Sequence, residues 1–230
     1  MDTGSKFEGS VPHIFVTLGA SGDLARKKIY PTLWWLYRDN LLPNSTVFYG
    51  YARTKCMVAD LREKCDQYMK KRNSSKKKLE NRTKMIPAQV KPGERGKYEE
   101  FWKINHYVSG AYNSRRDFEL LNQELLKIEK NNGANRLFYL ALPPSVFEEV
   151  TVVIRETCMG EHRGWNRIII EKPFGRDAES SARLSEHLSR LFKEEQIYRI
   201  DHYLGKEMVQ NLMTLSCDSQ DLYDKKLLGQ

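Results

Sequence analysis

His13-Ile-Phe-Val-Thr-Leu-Gly-Ala-Ser-Gly-Asp-Leu-Ala25 decides the fold. The first six residues form a short apolar run that ends in glycine, the mark of a buried strand. From Asp23 the apolar residues fall at helical spacing: Leu24, Ile29, Leu33, Trp34 and Leu36. Pro31 lies inside that stretch, so a kink or two successive helices is expected. Strand, glycine-rich turn and helix in that order make a phosphate cradle. Backbone N–H groups and the positive end of the helix face the anion. Gly19 permits the tight turn, Gly22 lets the backbone approach, and the small Ala25 lets helix and strand pack. The spacing is GxxGxxA, a variant of GxGxxG.

The rest of the chain repeats this alternation. Strands are expected at Thr46–Tyr51, His106–Ser109, Arg136–Leu142, Arg167–Ile170 and Ile197–Ile200. Helices are expected over 58–70, Tyr98–Ile104, Phe118–Glu129, Val146–Thr157 and Ala178–Lys193. In the first of these Val58, Leu61, Cys65 and Tyr68 should share the buried face, and in the third Leu121, Leu125 and Ile128. The reading is α/β: a Rossmann-like, doubly wound parallel sheet over 12–200.

Composition narrows the partners. Apolar residues make 40% and charged residues 30% of the chain, as in a soluble globular protein. No apolar run approaches the ~20 residues that span a bilayer. The first residues carry no apolar leader, so no membrane and a cytoplasmic address are expected. The net charge is +8, but Lys70 to Lys84 holds eight Lys/Arg against Glu80 alone. Subtracting that +7 leaves +1 elsewhere. The basicity belongs to one polar segment without interleaved aromatics, which argues against nucleic acid. The four cysteines and five histidines show no metal-ligand spacing, so no metal is expected.

Two strand ends carry the remaining chemistry. After the second strand comes Gly50-Tyr-Ala-Arg53, with no acid to hold a ribose 2′-hydroxyl. Arg53 can pair with a 2′-phosphate instead, which favours NADP over NAD. Glu171-Lys-Pro-Phe-Gly175 follows another strand directly, so Lys172 is expected to face a ligand. Arg199-Ile-Asp-His-Tyr-Leu-Gly-Lys-Glu207 concentrates Asp201, His202, Tyr203 and Lys206, a set suited to a phosphate monoester.

Taken together, these peptides resemble the glucose-6-phosphate dehydrogenase family. The stretches GASGDLA from Gly19, GYAR from Gly50, FYLALPP from Phe138, GWNRIIIEKPFG from Gly164 and QIYRIDHYLGKEMVQNLM from Gln196 carry the resemblance. It covers about Pro12 to Met69 and Gly93 to Leu215. It implies oxidation of D-glucose 6-phosphate at C1 with hydride passing to NADP. The product would be 6-phosphogluconolactone, the first step of the oxidative pentose phosphate pathway. It assigns Gly19, Ala20, Ser21, Gly22, Asp23, Leu24, Ala25, Arg26 and Arg53 to NADP, and Lys172 to both cofactor and sugar. His202, Tyr203, Leu204, Gly205 and Lys206 would hold the sugar phosphate. Asp201 would orient a histidine base that no residue of this chain supplies.

The chain also departs from the family pattern. Lys71 to about Gln89 has no counterpart, and the match fails after Leu215. The expected organisation is a tail at 1–11, an NADP-binding domain at 12–200 with a flexible basic insertion at 71–92, and the truncated start of a second domain at 201–230, divergent from 216. Family members form homo-oligomers through a region expected to be missing here. Three readings stay open: a fragment of the dehydrogenase with little activity, a non-catalytic NADP-binding domain, or an unstable truncated isoform.

Overall fold

The computed structural model describes residues 11–69, 90, 92–130, 133–159, 164–172, 174 and 177–200. Six parallel strands form one sheet: β1 (His13–Leu18), β2 (Thr46–Ala52), β3 (Asn105–Ser109), β4 (Asn135–Leu140), β5 (Asn166–Glu171) and β6 (Ile197–Ile200). Their order is β3-β2-β1-β4-β5-β6. The chain runs outward from β1 to β3, then returns to the other side of β1. That reversal puts a topological switch point at the carboxyl ends of β1 and β4, where doubly wound sheets bind ligands. The expected side-by-side placement of the first, second and fourth strands is observed. In register, Leu18 lies between Tyr51 and Leu140.

The pleat divides the core between two helical layers. Ile14, Val16 and Leu18 of β1 are buried on one face, among Phe118, Leu121 and Leu125 of α4 (Arg115–Glu129) and Val150 and Ile154 of α5 (Phe147–Thr157). Leu184 and Leu188 of α6 (Ala178–Leu191) complete that layer. On the other face lie α1 (Tyr30–Arg38), α2 (Val58–Met69) and α3 (Arg95–Lys103), with Trp34, Tyr98, Phe101 and Trp102 buried together. The Trp34 and Tyr98 rings meet edge to face at 5.0 Å between centroids, a favoured aromatic geometry.

Three helices differ from the sequence reading in detail. After the glycine turn the chain makes a π-helical turn at Ala25–Ile29 before α1 begins at Tyr30. Pro31 follows directly on that turn near the start of α1, and with no N–H it donates nothing back into it. On α2, Met69 is buried with Leu61 and Cys65, and Tyr68 is not. Steps of four residues, not the expected 4-then-3 pattern, keep the stripe on the core. Helix α3 starts at Arg95, earlier than Tyr98, because Pro92–Glu94 makes a 3₁₀ turn that leads into it.

Of the basic stretch at 71–92, only Val90 and Pro92 are among the described residues. The Val90 N–H donates to Met69 O at 2.6 Å, so that point is tied to the end of α2. The three described cysteines, Cys56, Cys65 and Cys158, are free thiols. Helix α4 is capped by Ser114, whose Oγ accepts from the Asp117 N–H at 3.2 Å. Losing such a cap costs roughly 0.5–2 kcal/mol. Ser114→Ala should lower the denaturation midpoint by a corresponding amount with an unchanged slope, and an unchanged midpoint would show that the cap contributes nothing.

Candidate functional site

The glycine turn is held by its neighbours on both sides. The Gly19 and Ala20 N–H groups both donate to Tyr51 O, at 2.8 and 3.2 Å. The Gly22 N–H donates back to Gly19 O at 2.8 Å. Gly19 has φ +84°, and a Cβ placed there would lie 2.2 Å from Ala141 O, beyond the end of β4. Only glycine fits. Gly22 does not have a positive φ, and a Cβ there would meet Gly19 O at 3.0 Å. Its role is to leave the face of the turn open. Ala20 and Ala25 are fully buried, Leu24 is half-buried, and Ser21 donates through Oγ to Thr54 Oγ1 at 3.3 Å.

Charge at the turn is arranged for an anion. Asp23 would repel a phosphate if it stood alone, but it pairs with Lys27 at 2.6 Å and with Arg26. The Lys27 hydrogen bond, with help from Arg26, holds the Asp23 carboxyl below its ordinary range. Arg26 also reaches back, its Nε donating to Gly22 O at 3.3 Å. The π-helical turn at Ala25–Ile29 carries Arg26 and Lys27. Such turns recur at functional sites. The first N–H groups of the helical segment have no partner within it and point toward the turn.

Arg53 leaves the carboxyl end of β2 beside this turn and is exposed. Its guanidinium stands 5.4 Å from the centre of the Tyr112 ring. Burial pushes the Tyr112 phenol up, while the Arg53 guanidinium and the backbone of Arg53 and Gly19 oppose the rise. Tyr107 donates from Oη to Thr54 O at 2.7 Å, which fixes the peptide after Arg53. Burial pushes the Tyr107 phenol up to about 12, so it stays a neutral donor.

Tyr112 and Tyr107 were not among the residues singled out from sequence. They belong to the loop after β3 and to β3 itself, and only the parallel pairing of β3 with β2 brings them to Arg53. Nothing local in Gly110-Ala-Tyr112 announces this.

Lys172 follows β5 at the same end of the sheet, and its N–H donates to Ile200 O at 3.1 Å. Just before it, Glu171 is buried and accepts a hydrogen bond from Tyr139 Oη. The structure thus brings the turn, Arg53 and Lys172 to one edge of the sheet. Asp201, His202, Tyr203, Leu204, Gly205 and Lys206 lie outside the described residues. Ile200, the residue before them, pairs with Glu171. Among the described residues no group of three His, Cys, Asp or Glu could hold a metal ion, and no helix is long and apolar enough to cross a membrane.

A topological switch point, a glycine turn that admits no side chain at its tightest point, and a cation at the end of the second strand define a dinucleotide-binding domain. Comparison with known proteins makes the class specific. Residues 16–211 match the family "Glucose-6-phosphate dehydrogenase, NAD binding domain". The chain belongs to that family, and the fold is its NAD(P)-binding domain.

Glucose-6-phosphate 1-dehydrogenase of Drosophila melanogaster is 60% identical over 212 residues, covering 92% of this chain and 37% of that sequence. The Culex pipiens sequence of the same name is 61% identical over 173 residues, covering 75% of this chain and 100% of its own length. A solved structure, glucose-6-phosphate dehydrogenase in complex with its substrate glucose-6-phosphate, superposes with a TM-score of 0.74 at 38% identity. That match covers 90% of this chain and 40% of the solved one. The chain thus spans little more than a third of the D. melanogaster relative.

Proposed function

We propose that the chain is the NADP-binding part of a glucose-6-phosphate dehydrogenase. In that role it holds the cofactor for hydride transfer from C1 of D-glucose 6-phosphate. The observation that carries this reading is Arg53, an exposed cation at the end of β2 beside the Gly19 turn, where an NAD-specific domain would carry an acid. Its guanidinium can pair with the 2′-phosphate while Tyr112 supports it from beneath.

In this reading the turn from Gly19 to Arg26 receives the pyrophosphate at its open face, with Arg26 and Lys27 cancelling the charge of Asp23. Lys172 meets both the nicotinamide end and the sugar. Asp201 orients the base, and His202 to Lys206 hold the sugar phosphate. The bound cofactor supplies the hydride acceptor, and the residues of this chain position it. The unit is 12–200, with a tail at 1–11, an insertion at 71–92 and the beginning of a second domain at 201–230. Its setting is the cytoplasm. Homo-oligomers of the family would form through residues outside the unit.

The test is Arg53→Ala. Losing a charge-assisted contact to the 2′-phosphate costs about 1.5–3 kcal/mol. NADP affinity should fall by that amount while NAD affinity stays nearly constant. Equal losses for the two cofactors would show that Arg53 does not read the phosphate. A non-catalytic binding domain would give the same titrations. Following NADPH absorbance with glucose 6-phosphate present distinguishes that alternative.

A further inference from the structure

The two faces of the sheet are not equally covered. Helices α4, α5 and α6, which lead the chain to β4, β5 and β6, all pack on one face. Helices α1, α2 and α3, which lead to β2 and β3, pack on the other. On that second face β4, β5 and β6 have no crossover helix of their own. The difference shows within one strand, because alternate residues of β5 look to opposite faces. Ile168 and Ile170, under α5 and α6, are 0% exposed, while Arg167 and Ile169 are only half-buried.

Register lines up what is left open. Leu137 pairs with Arg167, Tyr139 with Ile169, Ile169 with Tyr198, and Glu171 with Ile200. Leu137 and Ile200 are half-buried, and Tyr198 is 44% exposed. These residues form an apolar strip along β4, β5 and β6. At its amino end the Arg167 guanidinium lies 4.2 Å from the centre of the Trp165 ring and 5.5 Å from that of Tyr198. Arg167 pairs with no carboxylate among the described residues.

The chain itself carries a segment of matching length and pattern. Ile200, the last described residue, borders the strip, and residues 201–230 follow it. At helical spacing Leu204, Met208, Leu212 and Leu215 share one side, and Asp218 falls on that side too. Lys206 and Met213 fall opposite. A helix from Leu204 to Asp218 rises about 21 Å. The strip from Glu171 back to Trp165 measures about 20 Å. Three strands at about 4.8 Å spacing give it a width of roughly 10 Å, the diameter of one helix.

We propose that residues 204–218 dock on this face as a helix antiparallel to β5 and β6. Leu204, Met208, Leu212 and Leu215 cover the strip, and Asp218 pairs with Arg167 at its amino end. Lys206 stays on the outer side, where a phosphate can reach it. The docking uses the face that α1, α2 and α3 leave bare. It does not rest on the cofactor reading, so either can fail without the other.

The experiment uses the whole 230-residue chain. Leu212→Asp should lower the urea midpoint by about 1 M and raise binding of the apolar dye ANS. Met213→Asp, on the opposite side, should leave both near wild type. In a double-mutant cycle the losses from Arg167→Met and Asp218→Asn should not add, because each removes the same contact. That cycle carries the test if Leu212→Asp does not fold. Sedimentation should show a monomer. Equal effects of Leu212→Asp and Met213→Asp, or additive losses in the cycle, would overturn the proposal. So would a dimer that Tyr198→Asp dissociates, which would give the face to a second copy of the chain.

Discussion

Glu129→Ala is expected to destabilise the chain by about 3–5 kcal/mol, the usual cost of breaking a buried ion pair from one side. Glu129 and Arg136 are 4% and 0% exposed, and the carboxylate accepts from Arg136 Nε at 2.6 Å. Arg136 Nη1 also donates to Asn122 Oδ1 at 2.7 Å and to Cys158 O at 2.5 Å. Removing Glu129 leaves a guanidinium in the core with its neutral partners but no countercharge. Denaturant unfolding would read the loss directly. A change within about 0.5 kcal/mol would mean that water or rearrangement already solvates Arg136. The double change Glu129→Leu with Arg136→Met should recover most of the stability, because well-packed apolar residues often replace buried pairs without loss. The consequence extends to the site, since β4 runs from this pair to Ala141, the backbone against which Gly19 is packed.

Gly19→Ala is the second large effect, about 3 kcal/mol, and it falls on binding as well as stability. The left-handed conformation at φ +84° costs an L-residue roughly 1–2 kcal/mol. The new Cβ would also stand 2.2 Å from Ala141 O, a backbone atom that can yield only if the end of β1 or β4 shifts. Either shift moves the turn proposed to receive the pyrophosphate. Gly22→Ala makes the control: its φ is not positive and its closest approach is 3.0 Å. We expect Gly19→Ala to melt well below wild type and to lose dinucleotide affinity, with Gly22→Ala milder in stability. A Gly22 variant less stable than the Gly19 variant would contradict this reading of the turn.

The strands and their alternation with helices were legible because a doubly wound sheet buries both faces of each strand, which writes short apolar runs into the sequence. The turn was legible because Gly19 answers a local backbone demand. What remained hidden depends on contacts distant in sequence. Arg136 reads as one polar residue at the edge of an apolar run, and its partners Asn122, Glu129 and Cys158 come from α4 and the end of α5. The Tyr107–Thr54 bond and the Tyr112–Arg53 stack join residues more than fifty positions apart. The burial of Met69 over Tyr68 is set by how α2 rotates on the sheet, which periodicity alone fixes only to within a residue. Half of the candidate sugar site, Asp201 to Lys206, rests on the resemblance of its peptide and lies outside the described residues.

The central claim is that this chain is an NADP-binding domain whose cofactor choice is made at Arg53. Its most direct test is a pair of calorimetric titrations of the unmodified chain, one with NADP and one with NAD, at fixed moderate salt. The account predicts a single saturable NADP site, tighter than NAD by roughly the 1.5–3 kcal/mol of a charge-assisted contact. Equal affinity for the two cofactors, or no saturable binding of NADP, would contradict it.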